Sequence, residues 1–136
     1  MTHAHAKKPR ILVVDDNTNI RNSLDALLLS HGYAVENAED GLEALKQIIA
    51  GAPGLPDLLL LDLDMPHLDG RAVLAALRKA RGTRALPILI MTGLRDDKAE
   101  VELLRLGADD FVRKSSNFEV ILARIEALLR RAHRHP

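Results

Sequence analysis

Apolar residues along this chain fall into five short runs, each followed by a stretch with helical spacing. Ile11 to Val14 is rich in β-branched residues and stops at Asp15-Asp16, which predicts a strand. Beyond it Ile20, Leu24, Leu27 and Leu28 fall on one helical face, and Gly32 predicts the stop. Tyr33 to Glu36 predicts a weaker second strand. Asp40-Gly41 opens a helix carrying Leu42, Leu45, Ile48 and Ile49, and the Gly/Pro-rich stretch from Gly51 to Pro56 breaks it. Leu58 to Leu61 is apolar without interruption and ends in Asp62, as suits a strand buried on both faces. Asp69-Gly70 begins a third helix with Val73, Leu74 and Leu77 inward. Pro87 precedes a fourth strand, Ile88 to Met91, which ends at Thr92-Gly93. A fourth helix is expected from about Asp96 to Leu106, stopping at Gly107. Asp110 to Arg113 predicts the fifth strand, ending at Lys114, and the last helix carries Phe118, Ile121, Leu122, Ile125, Leu128 and Leu129. From Arg130 to Pro136 the chain is basic and is expected to fray.

Alternating strands and helices imply right-handed crossovers and a parallel sheet covered by helices on both faces. Five βα units in 136 residues suit an α/β, flavodoxin-like (βα)5 three-layer sandwich with strand order 2-1-3-4-5. One domain is expected over residues 9–131, with a disordered basic N-terminal tail at 1–8 and a C-terminal tail at 132–136.

Composition narrows the field. Hydrophobic residues make up 47% and charged residues 28%, the balance of an ordinary globular domain. Lys plus Arg and Asp plus Glu both number 19, so no chain-wide field grips nucleic acid or a membrane surface. The apolar runs are strand-length, far short of the roughly 20 residues of a membrane span, and no secretory signal is legible, so the cytoplasm is the expected location. The absence of cysteine removes disulfides, thiolate metal sites and cysteine nucleophiles. Tyr33, Phe111 and Phe118 are the only aromatic residues, too few for a base-stacking surface.

Polar residues stand where the apolar strands stop: Asp15 and Asp16, Asp62, Thr92 and Lys114. In a parallel sheet these ends share one edge, and strands 1 and 3 are neighbours where the strand order reverses. Three close carboxylates repel one another, and one would be driven toward protonation. A hard divalent cation relieves this, and oxygen ligands suit Mg²⁺. Lys114 adds a positive charge from the other side, and the Thr92 hydroxyl can donate to a phosphoryl oxygen. An aspartate can itself be the nucleophile. Asp62, on the central strand between the Asp pair and the Thr/Lys side, is the expected acceptor.

With these residues in place the sequence resembles the receiver domain of two-component response regulators, over about residues 9 to 131. The motifs that carry the likeness are Val13-Val14-Asp15-Asp16, Leu61-Asp62-Leu63-Asp64-Met65-Pro66 with Asp69-Gly70, Ile90-Met91-Thr92-Gly93, and Gly107-Ala108-Asp109-Asp110-Phe111 with Lys114. The resemblance implies that Asp62 is the phosphoacceptor and that Asp15 and Asp16 hold Mg²⁺ (or Mn²⁺) together with Asp62 and the backbone carbonyl of Asp64. It further implies that Thr92 and Lys114 bind phosphoryl oxygens and that Phe111 takes an aromatic switch position. The implied partners are a sensor histidine kinase or histidine phosphotransfer protein and a downstream target or output domain, with no direct nucleic acid and no membrane. The implied assembly is a monomer or a phosphorylation-promoted dimer. Such a protein catalyses only its own phosphorylation and dephosphorylation and is no turnover enzyme. Two departures stand out. Ser115 replaces the family's proline after the lysine, where a cis bond would cost about 2.5–4 kcal/mol. Asp64 adds a further carboxylate beside the acceptor.

Plainer roles compete. An Asp-Asp pair after a strand is often only a helix cap. Asp57 suits a strand entry, Asp69 a cap, His31 a helix C-terminus, and His3, His5, His133 and His135 solvated tails. His67, in the loop after Asp62, has no assigned role. Asp62-Leu63-Asp64 also resembles the Asp-x-Asp motif of haloacid-dehalogenase-type phosphatases, but Pro66 stands where that family has Thr or Val. The chain also suits the receiver part of a longer regulator whose output domain is absent here.

Overall fold

The uninterrupted run Leu58 to Leu61 occupies the centre of the sheet, buried throughout. The computed structural model describes residues 8–51, 54–65, 69–93 and 97–133. The elements are β1 (Arg10–Val14), α1 (Thr18–Ser30), β2 (Ala34–Ala38), α2 (Gly41–Ala50), β3 (Leu58–Asp62) and α3 (Gly70–Lys79), followed by β4 (Ile88–Thr92), α4 (Asp97–Leu106), β5 (Asp110–Arg113) and α5 (Phe118–His133). The strands form one sheet in the order β2-β1-β3-β4-β5, all neighbours parallel. This is the flavodoxin-like arrangement expected from the alternation of strands and helices.

Side chains alternate across the pleat, so each strand feeds two cores. Leu12, Val14, Leu59, Leu61, Ile88 and Ile90 meet Ala44 and Ile48 of α2, Val73, Leu74 and Leu77 of α3, and Leu103 of α4. Ile11, Val13, Leu58, Leu60, Leu89, Met91 and Val112 meet Leu24 and Leu28 of α1 and Ile121, Ile125, Leu128 and Leu129 of α5.

Helix starts are fixed locally. Asn17, Asp40 and Asp69 precede α1, α2 and α3, and their side-chain oxygens accept from the backbone N–H three residues on at 3.0, 2.8 and 3.1 Å. His31 caps the C-terminus of α1, its Nδ1 2.8 Å from the Leu27 carbonyl, and Asp57 accepts from the Arg10 N–H at 2.7 Å at the entry to β3.

Several details depart from the sequence reading. β2 lies over Ala34–Ala38 rather than Tyr33 to Glu36, because Asn37 and Ala38 continue the register against Val13 and Val14. On α2 the inward positions are Gly41, Ala44 and Ile48, while Leu42 and Ile49 are 53% and 80% exposed. The leucine and isoleucine positions span too wide an arc for one contact, and the small residues bring the helix close to the sheet. On α1 Leu27 is exposed beside buried Leu24 and Leu28. α5 continues through Arg130 to His133 instead of fraying at Arg130. Pro66, His67, Asp96, the segment 1–7 with His3 and His5, and 134–136 with His135 lie outside the described residues.

One close approach sets the height of α3 against the end of β3. The Gly70 N–H donates to the Leu63 carbonyl at 3.1 Å, and a Cβ at Gly70 would sit 2.7 Å from the Asp62 carbonyl oxygen and 2.8 Å from Leu63 Cα. Both neighbours are backbone and cannot rotate away. Gly70→Ala is therefore expected to lower the unfolding free energy by about 1–3 kcal/mol in urea denaturation. Gly82→Ala, where a Cβ meets open space, should stay within about 0.5 kcal/mol of the parent.

Candidate functional site

β1 and β3 lie side by side with Val14 opposite Leu61, so the residues that follow, Asp15 and Asp62, leave the sheet together. On the other flank Asp62 pairs with Met91 and Thr92 with Arg113, which brings Thr92 and then Lys114 to the same edge. The Lys114 N–H donates to the Thr92 carbonyl at 2.9 Å, fixing where the lysine side chain departs. Asp15, Asp62 and Thr92 are fully or almost fully buried, whereas Asp16 is exposed. One carboxylate oxygen from each of Asp15, Asp16 and Asp62 lies within 4.8 Å of the other two.

The buried pair is half satisfied. Asp62 Oδ1 accepts from the Asp64 N–H at 3.1 Å and lies 2.9 Å from Lys114 Nζ. Asp15 Oδ1 accepts from the Asn17 N–H at 2.9 Å. Asp62 Oδ2 and Asp15 Oδ2 are buried without a hydrogen-bond partner. An unpaired buried oxygen costs about 1–3 kcal/mol, more when charged. Two such oxygens with an exposed third carboxylate make a hard, anionic donor set, and this set fits a small divalent cation.

The protonation balance follows from the same geometry. Burial pushes the Asp62 carboxyl up to about 6, against the pull of its hydrogen bond to Lys114, and the charge of Asp15 adds to the rise. Burial likewise raises Asp15, partly offset by the Asn17 N–H and by Lys114. For Lys114 burial acts downward, but the hydrogen bond to Asp62 and the charges of Asp62, Asp15 and Asp64 reverse it and the net shift is upward. A close ion pair ordinarily lowers its acid; here desolvation and the second carboxylate outweigh the one lysine.

The structure thus gathers Asp15, Asp16, Asp62 and Lys114 at one edge, with Thr92 at the adjoining strand end. Asp64 follows in the loop with an exposed side chain. Phe111 stands apart from the cluster, half-buried on β5 opposite Ile90 and packed on the core under α3 and α4. Two residues were not singled out from the sequence: Asn17, which holds Asp15 while capping α1, and Arg21, whose Nη1 donates to the Asp15 carbonyl at 2.6 Å. Asn17 was legible as an N-cap directly before the helical pattern. Beside Lys114 a groove of about 310 Å³ runs between α1 and α5, its apolar lining including Ile20, Leu24, Leu27, Met91 and Phe118.

Comparison with known proteins agrees with this geometry. The chain belongs to the response regulator receiver domain family, which matches residues 11–126. It is 48% identical over 123 residues to the response regulator MprA of Mycobacterium tuberculosis, covering 90% of this chain and 51% of that protein. It therefore spans about half the length of the curated relatives it matches. Among solved structures, a CheY-like response regulator receiver domain protein from Methanospirillum hungatei superposes with a TM-score of 0.85 at 29% identity, covering 96% of this chain and all of that one. The Vibrio cholerae chemotaxis protein CheY4 gives 0.81 at 29% identity, covering 90% and 99%. The chain is thus the receiver domain of a response regulator in two-component signalling. Among the described residues no helix is long and apolar enough to cross a membrane.

The raised Asp62 carboxyl has a sign that stability reports. The unfolded chain loses this proton near 3.8 and the folded chain near 6, so between those values the folded state binds more protons. This group therefore subtracts stability as pH rises through that window, and its penalty is absent below it. Thermal unfolding of the parent and Asp62→Asn in a chelator is expected to show the variant's advantage growing from about pH 4 to about pH 7. Excess Mg²⁺ should narrow the gap at neutral pH by stabilising the parent; a gap that does not change with pH contradicts the assignment.

Proposed function

We propose that this receiver accepts a phosphoryl group on Asp62 from a phosphohistidine of a sensor histidine kinase or phosphotransfer protein. The observation that carries the reading is the buried Asp62 carboxylate, with one oxygen held by Lys114 and the Asp64 N–H and the other without a hydrogen-bond partner. In the transfer the Asp62 oxygen forms a new O–P bond as the N–P bond of the phosphohistidine breaks, and the imidazole keeps the electron pair. Lys114 then neutralises charge on the phosphoryl oxygens, and the Thr92 hydroxyl donates to one of them. Asp15, Asp16 and Asp62 would hold Mg²⁺ or Mn²⁺, with the Asp64 carbonyl as a further oxygen ligand. The bound ion supplies positive charge that offsets the carboxylates and the incoming phosphoryl group. The apolar groove beside Lys114 offers the donor protein a footing next to the acceptor.

The output follows from added charge. An aspartyl phosphate brings roughly 1.5–2 negative charges to a buried strand end. In the proposed switch Thr92 moves toward the phosphate, Phe111 turns inward, and the face of α4, β5 and α5 changes for a downstream target. That face is held by surface ion pairs: Arg71 to Glu102 at 2.5 Å, Arg113 to Glu100 at 3.4 Å and Arg124 to Asp110 at 3.1 Å. Pairs of this kind contribute about 0–1 kcal/mol each, so they can exchange at small cost while buried Leu103, Ile121 and Ile125 keep α4 and α5 on the sheet. The chain's coverage of half of its curated relatives supports a second possibility within the same chemistry, a receiver whose output domain follows in a longer protein. Either form acts in the cytoplasm, beside the kinase's catalytic half.

Intact mass after treatment with a small acyl phosphate and Mg²⁺ tests the assignment. The expected result is one phosphoryl adduct on the parent and none on Asp62→Ala. An undiminished adduct on the variant contradicts Asp62 as acceptor, and repeated turnover of a simple phosphomonoester contradicts the receiver reading in favour of a phosphatase.

A further inference from the structure

α1 begins with a placement that elementary electrostatics disfavours. Arg21 sits in its first turns, near the positive end of the helix dipole, where a cation is disfavoured, and the first turn carries no acid to offset it. The side chain is half-buried rather than extended into water. It folds back over the helix start: Nη1 donates to the Asp15 carbonyl at 2.6 Å and Nη2 to Thr18 Oγ1 at 3.3 Å.

Those contacts complete a set around one residue. The Asp15 N–H donates to the Ala38 carbonyl at 3.3 Å, and its Oδ1 accepts from the Asn17 N–H. With the carbonyl held by Arg21, the polar atom of Asp15 left without a partner is Oδ2, buried beside Asp16 and Asp62. Clamping that carbonyl fixes the peptide joining Asp15 to Asp16, and so the direction in which the exposed Asp16 carboxylate sets out. We infer that Arg21 is a positioning residue for the cation site: through the Asp15 carbonyl it locks the Asp15-Asp16 turn so that both carboxylates converge on Asp62. The inference rests on the proposed metal role of these carboxylates and adds a residue that contacts none of the carboxylate oxygens.

The guanidinium has two effects of opposite sign on a divalent cation. As a nearby positive charge it repels the ion, and removing it would tighten binding. As the clamp on the ligand loop it preorganises the site, and removing it would weaken binding. Partners that orient metal ligands from outside typically govern about 10–100-fold in affinity, and the inference holds that this effect wins over screened repulsion.

Isothermal titration with Mg²⁺ on the full chain, without any phosphodonor, separates the cases. Arg21→Met keeps most of the stem and loses the donors, and is expected to weaken Mg²⁺ binding about 10-fold with unchanged far-ultraviolet dichroism. Arg21→Lys, which keeps a cation and one kind of donor without the fork, is expected to fall between Met and the parent. Arg21→Met binding as tightly as the parent, or more tightly, overturns the inference. Should Arg21→Met fail to fold, Arg21→Lys decides: several-fold weaker binding supports the clamp, and an affinity within about twofold of the parent overturns it. A parent chain that takes up no Mg²⁺ overturns the metal reading and the inference with it, whereas a parent that binds beside an unaffected variant overturns the inference alone.

Discussion

Carboxylates at the ends of adjacent buried strands have nowhere to go. β1 and β3 run parallel through the middle of the sheet, covered on both faces, and the chain delivers Asp15 and Asp62 side by side where the cover stops. Each carries a buried oxygen without a hydrogen-bond partner from the protein, and one lysine faces the pair. Burial raises both carboxyls, and the charge of Asp15 adds to the rise at Asp62, so one lysine leaves the site short of neutrality. A cation at the cluster would answer that deficit, whereas a phosphoryl group on Asp62 would add roughly 1.5–2 negative charges and so lean harder on the cation and on Lys114.

The scaffold divides into parts that hold and parts that yield. At the far end of the sheet Arg78 on α3 donates to the Gly107 and Leu86 carbonyls at 2.8 and 2.7 Å and pairs with Asp109 at 2.9 Å. Asp109 in turn accepts from the Ile88 N–H at 2.8 Å. This half-buried set ties α3, the entry to β4 and the turn between α4 and β5 into one unit. Near the site α4 and α5 are anchored by buried Leu103, Ile121 and Ile125, and the ion pairs around them are at least partly exposed and of small individual worth. A charge change at Asp62 therefore meets a packed scaffold whose outer ion pairs can exchange at small cost.

Much of this was legible in the sequence, and the reasons differ by element. β3 and β4 were readable because burial on both faces demands continuous apolar runs, which leave the polar residue that ends each run conspicuous. α3 was readable because Val73, Leu74 and Leu77 occupy a narrow arc. On α2 the four large apolar residues left the face open: Ile48 and in part Leu45 meet the core, Leu42 and Ile49 do not, and the small residues Gly41 and Ala44 complete the contact. β2 slipped because its mixed sequence carries no period, and only pairing with β1 fixes it. The gathering of Asp62, Lys114 and the Asp15-Asp16 pair at one edge followed from topology acting on strand ends. Arg21 did not, because its role depends on a side chain turning back along its own helix to a carbonyl, and no hydrophobic pattern reports that.

The central claim is that the edge formed by β1 and β3 is a cation site built from three carboxylates. Crystals grown with Mn²⁺ test it most directly, through the anomalous signal of the ion. One strong peak is expected in coordination distance of the carboxylates of Asp15, Asp16 and Asp62, absent from crystals of Asp15→Asn. A fully occupied peak elsewhere with none at this cluster, or no peak at the cluster in millimolar Mn²⁺, contradicts it.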